Sequence, residues 1–221
     1  MVQELWTAID DYITALLVPP DAPLQVALEA SAKAGLPPHQ VSPSQGKLLQ
    51  LLARLRGAQN ILEIGTLGGY STIWLAGGLS ERGRVVTLES DAGHAEVART
   101  NIARAGLAEV VEVRVGPALD TLSRLVQEGA GPFDLIFIDA DKANNDRYFH
   151  WALELSETGT LIIADNVVRS GAIVDDASTD PSVMGARRFM EALAAEPRVS
   201  ATALQTVGAK GHDGFVVALV L

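Results

Sequence analysis

The sequence predicts an α/β protein: a doubly wound, mostly parallel seven-stranded sheet, with an antiparallel C-terminal strand and extra N-terminal helices. Three observations carry that prediction. From Asn60 onward, short apolar runs alternate with helical stretches, the pattern of a parallel sheet covered on both faces. The last link, Gly208–Gly214, is too short and too Gly-rich for a crossover helix, so the two final strands pair antiparallel. Before Asn60 the chain shows helical periodicity only.

Three helices are expected in residues 1–57, ahead of an α/β core over 58–221, the whole forming one domain of ordinary size. In the first, Leu5, Ile9, Ile13 and Leu16 recur at three- to four-residue spacing, and Pro19-Pro20 ends it. The second runs from Leu24 to Ala34 and stops at Gly35, ahead of Pro37-Pro38. The third opens at Ser42-Pro43, an N-cap serine with proline in the first turn, and stops at Gly57. The strands follow at Ile61–Ile64, Val85–Leu88, Val110–Val115, Leu135–Ile138 and Leu161–Ala164. The helices between them are Ser71–Gly77, Ala92–Ala105, Ala118–Glu128 and Asn145–Leu155. A long polar loop after Asp165 leads to a helix at Val183–Ala195, then to strands Ser200–Val207 and Phe215–Leu221.

Composition narrows the function. Lys and Arg total 17 against 27 Asp and Glu, a net charge of −10, and no basic cluster stands out, which argues against nucleic acid as a partner. Cysteine is absent, so neither disulfides nor thiolate chemistry is available. The first residues are mixed and acidic rather than a basic leader followed by an apolar stretch, and the apolar runs fall short of the roughly 18 residues of a membrane span. A cytoplasmic protein without membrane partners is expected.

The chemistry is concentrated at strand ends. Asp139-Ala140-Asp141-Lys142 follows one strand and Asp165-Asn166 the next. Taken singly, Asp139 would cap a helix, Asp165-Asn166 would make a turn, and Lys142 would be a surface lysine. Taken together, they lie where open α/β sheets bind ligands. Two carboxylates and an amide are hard oxygen donors, suited to Mg²⁺, Mn²⁺ or Ca²⁺ rather than zinc. Upstream, Ile61-Leu62-Glu63-Ile64-Gly65-Thr66-Leu67-Gly68-Gly69-Tyr70-Ser71 reads as strand, glycine-rich turn and helix start. It is neither G-x-G-x-x-G nor a P-loop, so no pyrophosphate fingerprint is present. Glu89 ends the second strand, where a carboxylate accepts hydrogen bonds from ribose hydroxyls. A nucleoside cofactor without a pyrophosphate fits both features.

The segment E-I-G-T-x-x-G-Y-S, with Glu89, D-A-D-K and A-D-N-V in order behind it, resembles the class I S-adenosylmethionine-dependent O-methyltransferases. Within them it is similar to the cation-dependent catechol and caffeoyl-CoA enzymes and their bacterial relatives. The resemblance runs from about Val41 to the C-terminus and implies a Rossmann-like sheet, a phenolic acceptor and a homodimer. It implies that Glu63, Gly65, Thr66, Gly69 and Ser71 surround the methionine part of S-adenosylmethionine, and that Val41 meets its amino-acid end. Glu89 would hold the ribose and Ala118 would lie by the adenine. Asp139, Asp165 and Asn166 would bind the metal, with Asp139 also touching the cofactor and sharing the catalytic role with Lys142.

The implied reaction is in-line displacement of a methyl group by a phenol oxygen. Free phenols ionise at a pKa of roughly 10, and a divalent cation beside two vicinal oxygens favours the oxyanion. An ordinary lysine is a poor base at neutral pH, and a nearby dication disfavours its ammonium form. Two positions depart from the family pattern: Asn145 stands where relatives commonly have Tyr, and Arg169 where they often have Trp. Both are expected to border the acceptor, where Arg169 would meet an acidic tail. Tyr148, Phe149 and Trp151 are expected to pack in the core. The missing G-x-G-x-x-G argues against an NAD-dependent oxidoreductase. The acidic charge and the absence of an Asn/Asp-Pro-Pro-Tyr segment argue against a nucleic-acid methyltransferase.

Overall fold

The computed structural model describes residues 2–221. Helices α1 (Val2–Leu17), α2 (Ala22–Lys33) and α3 (Pro43–Arg56) precede the sheet. Then come β1 (Asn60–Ile64), α4 (Tyr70–Ala76), β2 (Arg84–Glu89), α5 (Ala92–Arg104), β3 (Val111–Val115) and α6 (Ala118–Gln127). The second half holds β4 (Leu135–Ile138), α7 (Asn145–Glu154), β5 (Leu161–Asp165), α8 (Pro181–Ala195), β6 (Val199–Gly208) and β7 (Gly211–Val220). The strand order is β3-β2-β1-β4-β5-β7-β6. Pairing is parallel from β3 through β5, and β7 runs antiparallel to both β5 and β6.

Side chains alternate across the central strands, as a two-faced sheet requires. Leu62, Ile64, Ile136, Ile138, Ile162 and Ala164 face one core, where Tyr148, Phe149 and Phe189 of α7 and α8 cover them. Ile61, Leu135, Phe137 and Ile163 face the other, under Leu49 of α3 and Tyr70, Ile73 and Trp74 of α4. Each fully buried Leu or Ile contributes about 1.5–3 kcal/mol, so β1, β4 and β5 are fixed by their own apolar sequence. Phe149 meets Phe189 edge to face at 5.6 Å, joining α7 to α8.

The caps agree with the sequence for α3. Ser42 Oγ accepts from Gln45 N at 3.2 Å, and Gly57 closes the helix in a left-handed conformation at φ 66°. Helix α2 starts earlier than its apolar pattern, because Asp21 caps it by accepting from Leu24 N at 3.2 Å with Pro23 in the first turn. The expected seven-residue link before the last strand is instead a two-residue turn, with Gly208 paired to Gly211. A Cβ on Gly214 would strike the Leu204 carbonyl and Val168, so glycine marks a close approach inside the strand rather than a loop. The polar loop after Asp165 contains a 3-10 segment, Arg169–Val174, interrupted at Ser170 and Gly171 by left-handed residues.

The register places the site. Ile64 is level with Leu88 and with Ile138, and Ile138 is level with Ala164. The next residues are Gly65, Glu89, Asp139 and Asp165, so the four emerge side by side at the carboxyl edge of the sheet.

Candidate active site at the carboxyl ends of the strands

These residues line one open cleft of about 1540 Å³. Single small-molecule pockets hold roughly 300–1,000 Å³, so there is space for two ligands side by side. Its walls include Gly65, Thr66, Ser71, Glu89 and Ala118 toward β1 and β2, and Asp139, Lys142, Asp165 and Asn166 toward β4 and β5. All nine were singled out in the sequence. Gly65 has φ 104°, and a Cβ there would collide with the Asp139 carbonyl oxygen, so only glycine lets β1 and β4 close together at this edge.

Glu89 is anchored before any ligand arrives. Its Oε2 accepts from Leu67 N at 2.7 Å, and its Oε1 accepts from Asp91 N at 2.9 Å. Each oxygen can accept a further hydrogen bond, and Glu89 lines the cleft.

Three expected cofactor residues stand behind the wall. Val41 has its side chain in the core, while its neighbours Gln40 and Ser42 line the cleft. Gly69 is buried at the N-cap of α4, with φ 81°. Glu63 is fully buried. Ser71 Oγ and Thr87 Oγ1 donate to its carboxylate at 2.6 and 2.7 Å, Thr72 Oγ1 donates as well, and Thr87 in turn bonds Thr66 at 2.6 Å. Burial pushes the Glu63 carboxyl up to about 7, against the three hydroxyls that favour its charge. Glu63 thus ties β1, β2 and the first turn of α4 together beneath the glycine-rich turn.

On the other side, Lys142 Nζ donates to Asp139 Oδ1 at 2.6 Å with its side chain 8% exposed. A Cβ on Gly185 would collide with the Lys142 carbonyl, so α8 packs directly on the Lys142 backbone. Asp165 is held well above the usual carboxylate range, first by burial and then by the Asp139 charge, with Lys142 opposing. One ammonium therefore compensates two crowded carboxylates. The remaining negative charge and the all-oxygen donors fit a hard divalent cation. Among the described residues no group of three or more His, Asp or Glu side chains could hold a metal, so a three-donor set needs the Asn166 amide. Asn166 adopts φ 56°, and its N–H donates to Asp165 Oδ1 at 2.8 Å.

Several wall residues were not singled out. Gln45 of α3 faces Asp165 and favours its charged form. Lys210, in the β6–β7 turn, donates to Pro38 O at 2.5 Å, and Asp10 of α1 accepts from Ala209 N at 2.7 Å. Nothing local marks these; the folding of the chain brings them to the cleft. Tyr148 packs in the core as expected, but its hydroxyl reaches the cleft and donates to Asp141. Burial and the Asp141 charge raise its pKa, so it stays a neutral donor. Arg169 borders the cleft as expected. Asn145 corrects the expectation: it is fully buried at the start of α7, off the wall, with neither amide atom hydrogen-bonded.

A Rossmann-like sheet with a glycine-rich turn, an anchored carboxylate at the end of β2 and an acidic corner at the ends of β4 and β5 defines the methyltransferase class of α/β enzymes. A family profile described as O-methyltransferase matches residues 20–219. A catechol O-methyltransferase of Niastella koreensis is 54% identical over 220 residues, all of both chains, and one of Mycobacterium tuberculosis is 53% identical over 96% of this chain and 94% of its own. The crystal structure of a Bacillus cereus O-methyltransferase in complex with SAH superposes with a TM-score of 0.98 at 62% identity, covering 99% of this chain and all of the other. The chain belongs to the O-methyltransferase family, the class of S-adenosylmethionine-dependent enzymes that its sequence resembles. No helix among the described residues is long and apolar enough to cross a membrane.

Proposed function

We propose that this enzyme methylates a hydroxyl of a small vicinal-dihydroxy aromatic, of catechol or caffeoyl type, with Asp139, Asp165 and Asn166 holding Mg²⁺, Mn²⁺ or Ca²⁺. The observation that carries this reading is the convergence of the Glu89 wall and the Asp139–Lys142–Asp165–Asn166 corner in one cleft large enough for two ligands. Full-length relatives named catechol O-methyltransferase support it.

S-adenosylmethionine supplies an electrophilic methyl group. Glu89 would accept hydrogen bonds from its ribose hydroxyls, while Gly65, Thr66 and Ser71 would form the wall at its methionine end, held in shape by Glu63. Ala118 would lie beside the adenine. The cation supplies positive charge that favours the ionised diol. With a cation held at this corner the ammonium form of Lys142 would be disfavoured, so the neutral amine would take the phenol proton onto Nζ, and Asp139 Oδ1 would orient the ammonium that results. Labelled S-adenosylmethionine, offered with catechol-type acceptors, tests the reading: a labelled methyl ether supports it, and acceptor screening that yields none rejects it.

Glu89→Ala removes charge-assisted hydrogen bonds worth roughly 1.5–3 kcal/mol each. Calorimetry should show S-adenosylmethionine affinity falling by at least about tenfold in a folded variant. Unchanged affinity would withdraw Glu89 from the ribose.

The same reading makes the enzyme a homodimer. Helix α1 has no buried residue, and Leu5, Ile9, Ile13 and Leu16 all stay exposed although the helix is tied to the β6–β7 turn by Gln3 and Asp10. On β6, Leu204 and Val207 are exposed too. Apolar surface of this extent marks an association face. Light scattering at micromolar concentration should report about twice the 23.3 kDa chain mass; a species of chain mass alone would reject the dimer.

A further inference from the structure

We propose that the acceptor carries a carboxylate beside its diol and that Arg169 receives it. The proposal rests on the vicinal-diol reading above and narrows its substrate class. Arg169 lies three residues past Asn166 and lines the same cleft as Asp139, Asp165 and Asn166. Its backbone is fixed in an unusual conformation, φ 55°, by the Asp213 carboxylate, whose Oδ1 accepts from Val168 N and Arg169 N, both at 3.0 Å. Left-handed conformations of non-glycine residues persist where the surroundings over-determine them, and they cluster at ligand sites.

The guanidinium is held but not satisfied. It has five N–H donors, and none makes a hydrogen bond to another described residue. Its nearest carboxylate oxygen, Asp213 Oδ2, is 3.9 Å from Nη1. Asp213 Oδ1 is already taken, since Gly214 N donates to it at 2.9 Å in addition to the two groups above. Arg169 Nε is shut off from solvent with no partner.

Other arginines of similar exposure make hydrogen bonds. Arg169 is 29% exposed; Arg56, also 29%, donates to Gly159 O at 2.7 Å. Arg114, 23% exposed, donates to Glu112 and Glu128 at 2.8 and 2.6 Å. Arg187, at 22%, donates to Ile173 O at 2.8 Å. A half-buried guanidinium without hydrogen bonds is costly unless a ligand supplies acceptors.

The planar fork of arginine matches a carboxylate with two parallel bonds. Lys210 adds a second cation to the same cleft. Its ammonium donates to the Pro38 carbonyl, burial lowers its pKa, and the Asp139 and Asp165 charges act on it in the opposite sense. Asp139, Asp165 and Asn166 would hold the cation at the diol end of the acceptor, and Arg169 would take the acid end.

The test compares 3,4-dihydroxybenzoate with its neutral counterpart 3,4-dihydroxybenzamide. Binding is measured by calorimetry on enzyme loaded with Mg²⁺ and S-adenosylhomocysteine, and kcat/KM is measured with S-adenosylmethionine. Wild-type enzyme should favour the benzoate by at least about tenfold in both quantities, the scale of one charge-assisted hydrogen bond. Arg169→Gln should bring that ratio close to one, and Arg169→Lys should leave part of it. A wild-type ratio near one overturns the proposal while leaving the vicinal-diol reading intact. So does a ratio that survives Arg169→Gln, including the case where both compounds weaken equally. Failure of wild-type enzyme to bind or methylate either compound overturns the vicinal-diol reading and the proposal with it.

Discussion

Lys142→Ala should cut turnover with catechol-type acceptors by roughly 10²–10⁴, the range for a positioned acid–base group. The expectation rests on where Nζ sits: at the cleft, almost shut off from water, 2.6 Å from Asp139 Oδ1. A surface lysine would not be clamped through its backbone by α8 or ion-paired at a strand end. Lys142→Arg should be nearly as damaging, because a guanidinium keeps its charge and does not accept a proton. Calorimetry on both variants should find cofactor and Mg²⁺ affinity largely kept, which separates a chemical role from a structural one. A Lys142→Ala enzyme that turns over at the wild-type rate would remove the lysine from the mechanism.

Asp165→Ala should lower turnover by at least about 10²-fold. Losing a partner that merely orients a metal ligand already costs 10–100-fold, and Asp165 is proposed as a direct anionic donor. The fold should survive. Asp165 is a buried carboxylate kept above its usual range by burial and by Asp139, so removing it relieves a strained charge rather than breaking a paired one. S-adenosylmethionine affinity should fall much less than turnover, because the Glu89 anchor stands at the end of β2, with two strands between it and β5 in the sheet order. Equal losses of cofactor affinity and of turnover would instead mean that Asp165 shapes the cofactor wall.

The central fold was legible because its signals are local. Runs such as Leu135–Ile138 and Leu161–Ala164 are apolar on both faces, which a buried parallel strand demands, and Ser42-Pro43 and Gly57 bound α3 by capping chemistry alone. The strand-end residues were legible for the same reason: register follows the apolar runs, and the residue after each run reaches the edge. The misread features depend on distant partners. The β6–β7 turn looked like a longer loop because Gly208, Gly211 and Gly214 are there for pairing and close approach. Glu63 looked like a wall residue, but strand alternation points it away from Leu62 and Ile64, into hydroxyls supplied by α4 and β2. Asn145 was expected at the acceptor border, but past the turn at Lys142–Asn144 it is fully buried at the start of α7. Gln45 and Lys210 reach the cleft from elements far apart in sequence, and no spacing encodes that.

The most direct test of cation-assisted O-methyl transfer is wild-type turnover of catechol with labelled S-adenosylmethionine after exhaustive treatment with EDTA. With Asp139, Asp165 and Asn166 holding the cation, methyl transfer should disappear in the stripped enzyme and return when Mg²⁺ is added, with the cofactor still bound in both states. Full turnover in the stripped enzyme would contradict the account, leaving Lys142 and Asp139 to ionise the acceptor unaided.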